Sequence, residues 1–218
     1  MTFKDKIIGL FSPAARKRHS LVGSKRLWKM KRDFQINFLK GVGLRPEHRL
    51  LDIGCGTLRG GIPFIEYLDA GNYCGLESRE NVLAEAKLEL RDSGLENKKP
   101  ALVHSPDLAA LELGRKFDFV WAFSVLIHMN DEILNECLKL VATHLDDQGI
   151  FYANVNFGEH HEGSWQGFPV VFRSEDFYKE VAARHNLKVA AIGTLGSLGH
   201  DSGVELQDQG QMLKFTKN

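Results

Sequence analysis

Leu51-Asp52-Ile53-Gly54-Cys55-Gly56-Thr57 is the stretch that decides the fold. Residues 49–53 read as a short strand, with Leu50, Leu51 and Ile53 apolar. It passes at once into two glycines one residue apart. Gly54 and Gly56 let the backbone turn sharply and lie close to a ligand, where a Cβ would intrude. A helix is predicted from there to about Leu68, with Pro63 tolerable only in its first turn. The dinucleotide fingerprint requires a third glycine three residues after Gly56. That position is Arg59, so the fingerprint fails.

Outward from this turn, strand and helix patterns alternate. Strands are predicted over 72–77, 101–104, 118–123, 150–155, 187–192 and 212–216. The run at 118–123 is apolar enough to be buried on both faces. Helices are predicted over 80–91 and 131–144, the second with Leu134, Leu138 and Val141 along one side. Asp146, Asp147 and Gly149 read as a turn before the fifth strand. Ser174 caps a further helix. This alternation implies an α/β fold with a mostly parallel sheet covered on both faces. Ligands of such sheets bind beyond the carboxyl ends of the strands. The loops after Ile53, Leu76, His104, Phe123 and Val155 are therefore expected around one cleft.

Composition narrows the class. Of 218 residues, 43% are hydrophobic and 26% charged, which argues against a wholly disordered chain. No apolar run approaches the roughly 18 residues of a membrane span. Residues 7–11 are too short for a secretory core, and Arg16, Lys17 and Arg18 follow, so no signal peptide is read. Cys55, Cys74 and Cys137 form no CxxC pair and no disulfide framework, which suits a reducing cytoplasm. Net charge is zero but unevenly spread: residues 1–50 hold 13 Lys+Arg and 3 Asp+Glu, against 15 and 25 in residues 51–218. The basic arm either attracts phosphate or anionic lipid, or is a solvated face that complements its own acidic domain. Residues 1–23 read as poorly ordered or loosely helical. A helix is predicted over 25–40, stopped by Gly41 and Gly43. The division expected is a basic N-terminal helical segment, 1–45, and a domain over 46–218.

Four pieces stand in a telling order: the glycine turn; Tyr73-Cys74-Gly75-Leu76-Glu77, a strand ending in a carboxylate; Phe117-Asp118-Phe119-Val120-Trp121-Ala122-Phe123-Ser124; and the turn at 146–149. Together they resemble the class I S-adenosylmethionine-dependent methyltransferases over about residues 45–218. Leu58-Arg59-Gly60-Gly61 is similar to a subgroup of small bacterial members of poorly assigned substrate. The resemblance implies a Rossmann-like α/β fold, a mostly parallel seven-stranded sheet with helices on both faces, and S-adenosylmethionine as cofactor. There is one departure. Many members have a glycine where Leu58 stands, which leaves the path of the turn open.

By this resemblance Gly54, Cys55 and Gly56 line the methionine and ribose part of the cofactor. Glu77, 21 residues after Gly56, accepts from both ribose hydroxyls, which a neutral side chain copies poorly. Asp52 either organises the loop and attracts the cofactor's ammonium or is purely structural. Asp107 is the candidate for the adenine amino group, and Leu108 and Leu76 for packing on the adenine face. Ala122 and Phe123 offer carbonyls near the methionine moiety.

Methyl transfer from a sulfonium is an in-line displacement in which the cofactor carries the reactive group. The protein aligns the acceptor and, for a hydroxyl, helps remove a proton. His128, just beyond the fourth strand, is the candidate base; its alternative is to cap or orient the next helix. Residues 154–169 make a long connection of the kind that forms lids. There Asn154, Asn156, His160, His161 and Trp165 are candidates for substrate binding. Adjacent histidines rarely share one metal without further ligands, so no metal is expected. His200-Asp201-Ser202-Gly203 lies between the last two strands without an assigned role.

The function expected is methyl transfer to a small or medium-sized acceptor at oxygen, with a sugar or lipid-linked metabolite as one guess. Two alternatives remain. One is a nucleic-acid methyltransferase using the basic arm. Against it, amino-methylating members often carry Asn/Asp-Pro-Pro-aromatic where this chain has Ser124-Val125-Leu126-Ile127. The other is a non-catalytic module, either a degenerate methyltransferase or a membrane-surface adaptor whose Ile7, Ile8, Leu10 and Phe11 touch anionic lipid. The oligomeric state is not legible.

Overall fold

The structure is a computed structural model that describes residues 18–159, 161–165 and 167–218. After a helical turn at 18–20 and a 3₁₀ turn (Lys25–Leu27) come α1 (Trp28–Gly41), β1 (Leu50–Ile53), α2 (Gly61–Tyr67), β2 (Tyr73–Glu77), α3 (Glu80–Asp92) and β3 (Ala101–His104). Then follow β4 (Phe117–Ala122), a 3₁₀ turn (Leu126–His128), α4 (Asp131–His144), β5 (Leu145–Val155), β6 (His161–Trp165) and β7 (Phe168–Phe172). The chain closes with α5 (Glu175–Ala183), β8 (Leu187–Thr194), the short α6 (Glu205–Asp208) and β9 (Gln211–Lys217).

Seven strands make the main sheet in the order β3-β2-β1-β4-β5-β9-β8. The pairings of β1 with β4, β2 with β3 and β4 with β5 are parallel, while β9 runs antiparallel to β5 and β8. This is the mostly parallel α/β sheet expected from the alternation. The residues cluster into two compact units: the described part of Met1–His48 with Gly54–Pro106, and Arg49–Ile53 with Asp107–Asn218.

In the first unit, Leu39, Leu44, Phe64, Tyr73 and Ala86 are fully buried. Burying each large apolar side chain contributes about 1.5–3 kcal/mol. Pro63 falls in the first turn of α2, where no intrahelical N–H is lost. Residues 18–23, read from sequence as poorly ordered or loosely helical, include the helical turn at 18–20 and have a defined place. Arg18 is only 3% exposed and its guanidinium meets three carboxylates of α3: Glu89 at 2.6 Å, Asp92 at 2.9 Å and Glu85 at 3.2 Å. Burial alone would depress the Arg18 pKa, but Asp92 and Glu89 outweigh it and hold it above the ordinary value. The early apolar run at 7–11 lies outside the described residues.

In the second unit the core lies around Phe117, Trp121, Phe151 and Phe215, with Phe151 and Phe215 stacked at 4.9 Å. Every residue of β4 except Asp118 is buried, as its composition requires of a central strand. Asp118 instead accepts from the backbone N–H of Arg49 at 2.7 Å, fixing the start of β1. Ser174 caps α5 by accepting from Phe177 N–H at 3.1 Å.

Two sequence expectations change here. The fifth strand begins at Leu145 rather than 150: Leu145 pairs with Phe117 and Ile150 with Phe119, so residues 146–149 bulge out of one strand. The long connection after it is not an irregular loop. It holds a hairpin in which His161 pairs with Phe172 and Trp165 with Phe168. Pro169 fits because this two-stranded ribbon leaves one side of each strand unpaired.

Candidate functional site

The glycine turn is built from the end of β1 into α2. Gly54 and Gly56 have φ of 70° and 56°, the left-handed region that suits glycine. Cys55 N–H donates to Leu76 O at 2.9 Å, which ties the turn to β2. Gly75 makes room for it, since a Cβ there would meet Cys55 Sγ at 2.9 Å. Leu58 also has positive φ, 63°, and is fully buried. The departure at Leu58 is thus explained: the turn keeps the backbone path that favours glycine, and burial of the leucine offsets the strain.

Glu77 reaches the same turn and is 4% exposed. Its Oε2 accepts from Gly56 N–H at 3.1 Å, and its Oε1 from Arg79 N–H at 3.1 Å. The Arg79 guanidinium adds a fork, Nε to Oε1 at 2.9 Å and Nη2 to Oε2 at 3.3 Å. Ser105 N–H donates to the Glu77 carbonyl at 3.1 Å, fixing the strand end below the carboxylate. Thr57 Oγ1 is buried and finds no hydrogen-bond partner among the described residues. Gly54, Cys55, Gly56 and Glu77 therefore come together in one compact unit, as expected.

The other candidates belong to the second unit. Asp52 is buried at the end of β1, in register with Trp121. Asp107 is exposed, and its Oδ1 accepts from Ala109 N–H at 2.8 Å in a local turn; Leu108 beside it is half-buried. Phe123 stacks on Trp121 at 5.6 Å and meets the His200 ring at 5.7 Å. Ser124, at φ 59°, donates its N–H to Asn154 Oδ1 at 2.6 Å, so the buried Asn154 braces the end of β4. Asn156 donates from Nδ2 to Val171 O at 3.3 Å and so holds the hairpin.

His128 ends the 3₁₀ turn after β4. Its Nδ1 lies 2.7 Å from Pro169 O, in β7. A carbonyl only accepts, so Nδ1 carries the proton and Nε2 is the basic nitrogen of the neutral ring. Helix α4 is capped by Asn130, whose Oδ1 accepts from Ile133 N–H at 2.9 Å, so capping is not the work of His128. Arg173 steadies this turn: Nη2 donates to Met129 O at 2.9 Å, and Nε and Nη2 to Asp131 Oδ1 at 2.9 and 2.6 Å. His160 lies outside the described residues, as do the side chains of His161 and Trp165. Among the described residues no three His, Cys, Asp or Glu side chains gather as a metal site.

The chain resembles solved methyltransferases along its whole length. Magnesium protoporphyrin IX methyltransferase from Synechocystis PCC 6803, solved with bound S-adenosylmethionine, superposes with a TM-score of 0.67 at 18% identity, covering 100% of this chain and 99% of that one. An S-adenosylmethionine-dependent methyltransferase from Clostridium acetobutylicum ATCC 824 gives 0.66 at 15% identity, covering 100% of both. The glycopeptide N-methyltransferase MtfA gives 0.64 at 17%, covering 85% of this chain and 90% of that one. No curated protein sequence matches. A sequence profile of the methyltransferase domain matches residues 51–151.

Residues 51–151 match the methyltransferase domain family, and the chain has the fold of the class I methyltransferases. The matched domain and the fold imply S-adenosylmethionine as the cofactor. The residues of the glycine turn and the end of β2 fit that group. Gly56 presents a Cα without a side chain, with Val22 packed over it, Glu77 brings a buried carboxylate now shared with Arg79, and the Thr57 hydroxyl has no partner among the described residues. Sequence reasoning missed Arg59, Arg79 and Arg173. In the sequence Arg59 marks the failure of one fingerprint and part of the 58–61 stretch without a role of its own, yet its Nη1 donates to Val22 O at 2.8 Å. A basic residue two positions after a strand-end carboxylate is the one local signal that pointed to Arg79.

Proposed function

We propose that the methyltransferase acts on a hydroxyl of a small or medium-sized acceptor, with His128 as general base. S-adenosylmethionine supplies the methyl group as a sulfonium. Glu77 would hold the ribose, the Gly54–Gly56 backbone would lie along the ribose and methionine part, and Asp52 would draw the ammonium. Asp107 and Leu108 would serve the adenine, and Phe123 the methionine end. The acceptor oxygen would give its proton to His128 Nε2, while Asn156 and the hairpin at 161–172 would position the acceptor.

The hydrogen bond from His128 Nδ1 to Pro169 O, at 2.7 Å, carries this reading. It holds the ring in the tautomer whose basic nitrogen is Nε2. A hydroxyl needs such a base because it is a poor nucleophile until its proton leaves. A neutral amine attacks through its lone pair and sheds its proton afterwards. The test is a screen of hydroxyl and amine acceptors by release of S-adenosylhomocysteine, repeated with His128→Gln. Turnover should fall by about 10²–10⁴-fold, with cofactor affinity kept. Turnover equal to wild type, or a strict preference for amines, would remove the base from the mechanism.

A further inference from the structure

We propose that Val22 and the Arg79 guanidinium plug the cofactor cradle of this methyltransferase, and that S-adenosylmethionine displaces them as it binds. The inference rests on the reading of Gly54–Gly56 and Glu77 as the cofactor site. A carboxylate has about four lone-pair positions. At Glu77 all four are filled, two by the backbone N–H groups of Gly56 and Arg79 and two by the Arg79 fork. A ribose diol therefore finds its two acceptors only if the fork withdraws, because the backbone donors are fixed by the turn and the strand end. The guanidinium, 31% exposed, is the partner that can leave into water.

The second half of the plug lies over Gly56. A Cβ on that residue would stand 2.7 Å from Val22 Cγ1, so the valine side chain fills the space the glycine leaves bare. The segment carrying Val22 is strapped down by the same two arginines that flank the turn. Arg59 Nη1 donates to Val22 O at 2.8 Å, and Arg79 Nη1 to Leu21 O at 3.5 Å. The second bond is long and the easier to give up. Behind the strap sits a firm anchor. Arg18 grips three carboxylates of α3, and the His19 ring stacks on Trp28 at 3.6 Å. Ahead of it Gly23, at φ 121°, supplies a hinge. Arg79 thus touches both the ribose carboxylate and the strap, so withdrawing it from Glu77 also loosens Leu21. Occupancy of the cradle and opening of the strap are coupled through one side chain.

The experiment is calorimetric titration of the full chain with S-adenosylhomocysteine, using wild type, Val22→Ala, Arg79→Gln and Glu77→Gln. A plug closed about four-fifths of the time weakens apparent affinity about fivefold. Val22→Ala and Arg79→Gln should therefore each tighten binding by about fivefold. Unchanged or weaker binding in either overturns the plug. Hydrogen exchange on wild type needs no variant: amides of residues 20–24 should exchange faster when the ligand is added, and slower or equal exchange overturns the proposal. Weakened binding by Glu77→Gln with Arg79→Gln unaltered removes the plug alone. Wild-type affinity in Glu77→Gln removes the cofactor-site reading and the plug with it.

Discussion

Replacing Glu77 by glutamine keeps size and shape and removes one acceptor and the charge. Both carboxylate oxygens face a backbone donor, Oε2 the Gly56 N–H and Oε1 the Arg79 N–H, each at 3.1 Å. A glutamine amide turned either way therefore sets its NH₂ against one of them. An unsatisfied buried polar group costs about 1–3 kcal/mol, so global stability should drop by about that much. The effect on cofactor binding is separate. One hydrogen bond from a ribose hydroxyl to a charged acceptor is worth about 1.5–3 kcal/mol, or roughly 10- to 100-fold in affinity. The observed loss should lie toward the lower end, because the Arg79 fork that competes for the same oxygens weakens too. Urea unfolding followed by tryptophan fluorescence measures the first quantity, and titration with S-adenosylhomocysteine the second. Glu77→Gln with wild-type stability would refute the donor–donor argument. Wild-type affinity would refute the assignment of Glu77 to the ribose.

Leu58 invites a paired test. Leu58→Ala and Leu58→Gly both lose a buried side chain, at about 2–5 kcal/mol for the alanine, but only glycine relieves the left-handed backbone at φ 63°. That relief is about 1–2 kcal/mol, so Leu58→Gly should have the higher urea midpoint; the reverse order would show that the turn rearranges. Asp208 gives a pH signature. Burial would raise its carboxyl, but bonds from the Ser202 N–H and from His200, whose Nδ1 lies 2.7 Å away, outweigh it and hold the carboxyl below the usual range. A depressed folded pKa contributes stability above the unfolded value of about 3.9 and loses it as pH falls through the folded value. Wild type should therefore lose more stability than Asp208→Asn between pH 5 and the acid limit, as read from urea midpoints; parallel curves would count against the pairing.

The element boundaries show how the sequence was informative. Helix α4 was legible to the residue, because its apolar positions recur at helical spacing and its first turn is acidic. β2 ended at Glu77 where its apolar run ended. The hairpin at 161–172 was not seen, because His161-Glu162-Gly163-Ser164-Trp165 has no strand alternation and pairs only through its partner strand. The start of β5 was misplaced for a related reason: Asp146, Asp147 and Gly149 do favour a turn, and only the pairing of Leu145 with Phe117 makes that turn a bulge.

The candidate site divides along the same line. The sequence by itself determined the glycine turn and the strand-end carboxylate, because each follows from chemistry within a few residues along the chain. What only the tertiary structure decided is which groups meet. Arg18 reaches Glu89 across 71 positions, Arg59 reaches Val22 across 37, and His128 reaches Pro169 across 41. Such contacts are set by the packing of whole elements, and packing leaves no periodic trace in either partner's own neighbourhood. The tautomer of His128, the filled acceptors of Glu77 and the seat of Val22 on Gly56 all depend on contacts of that kind.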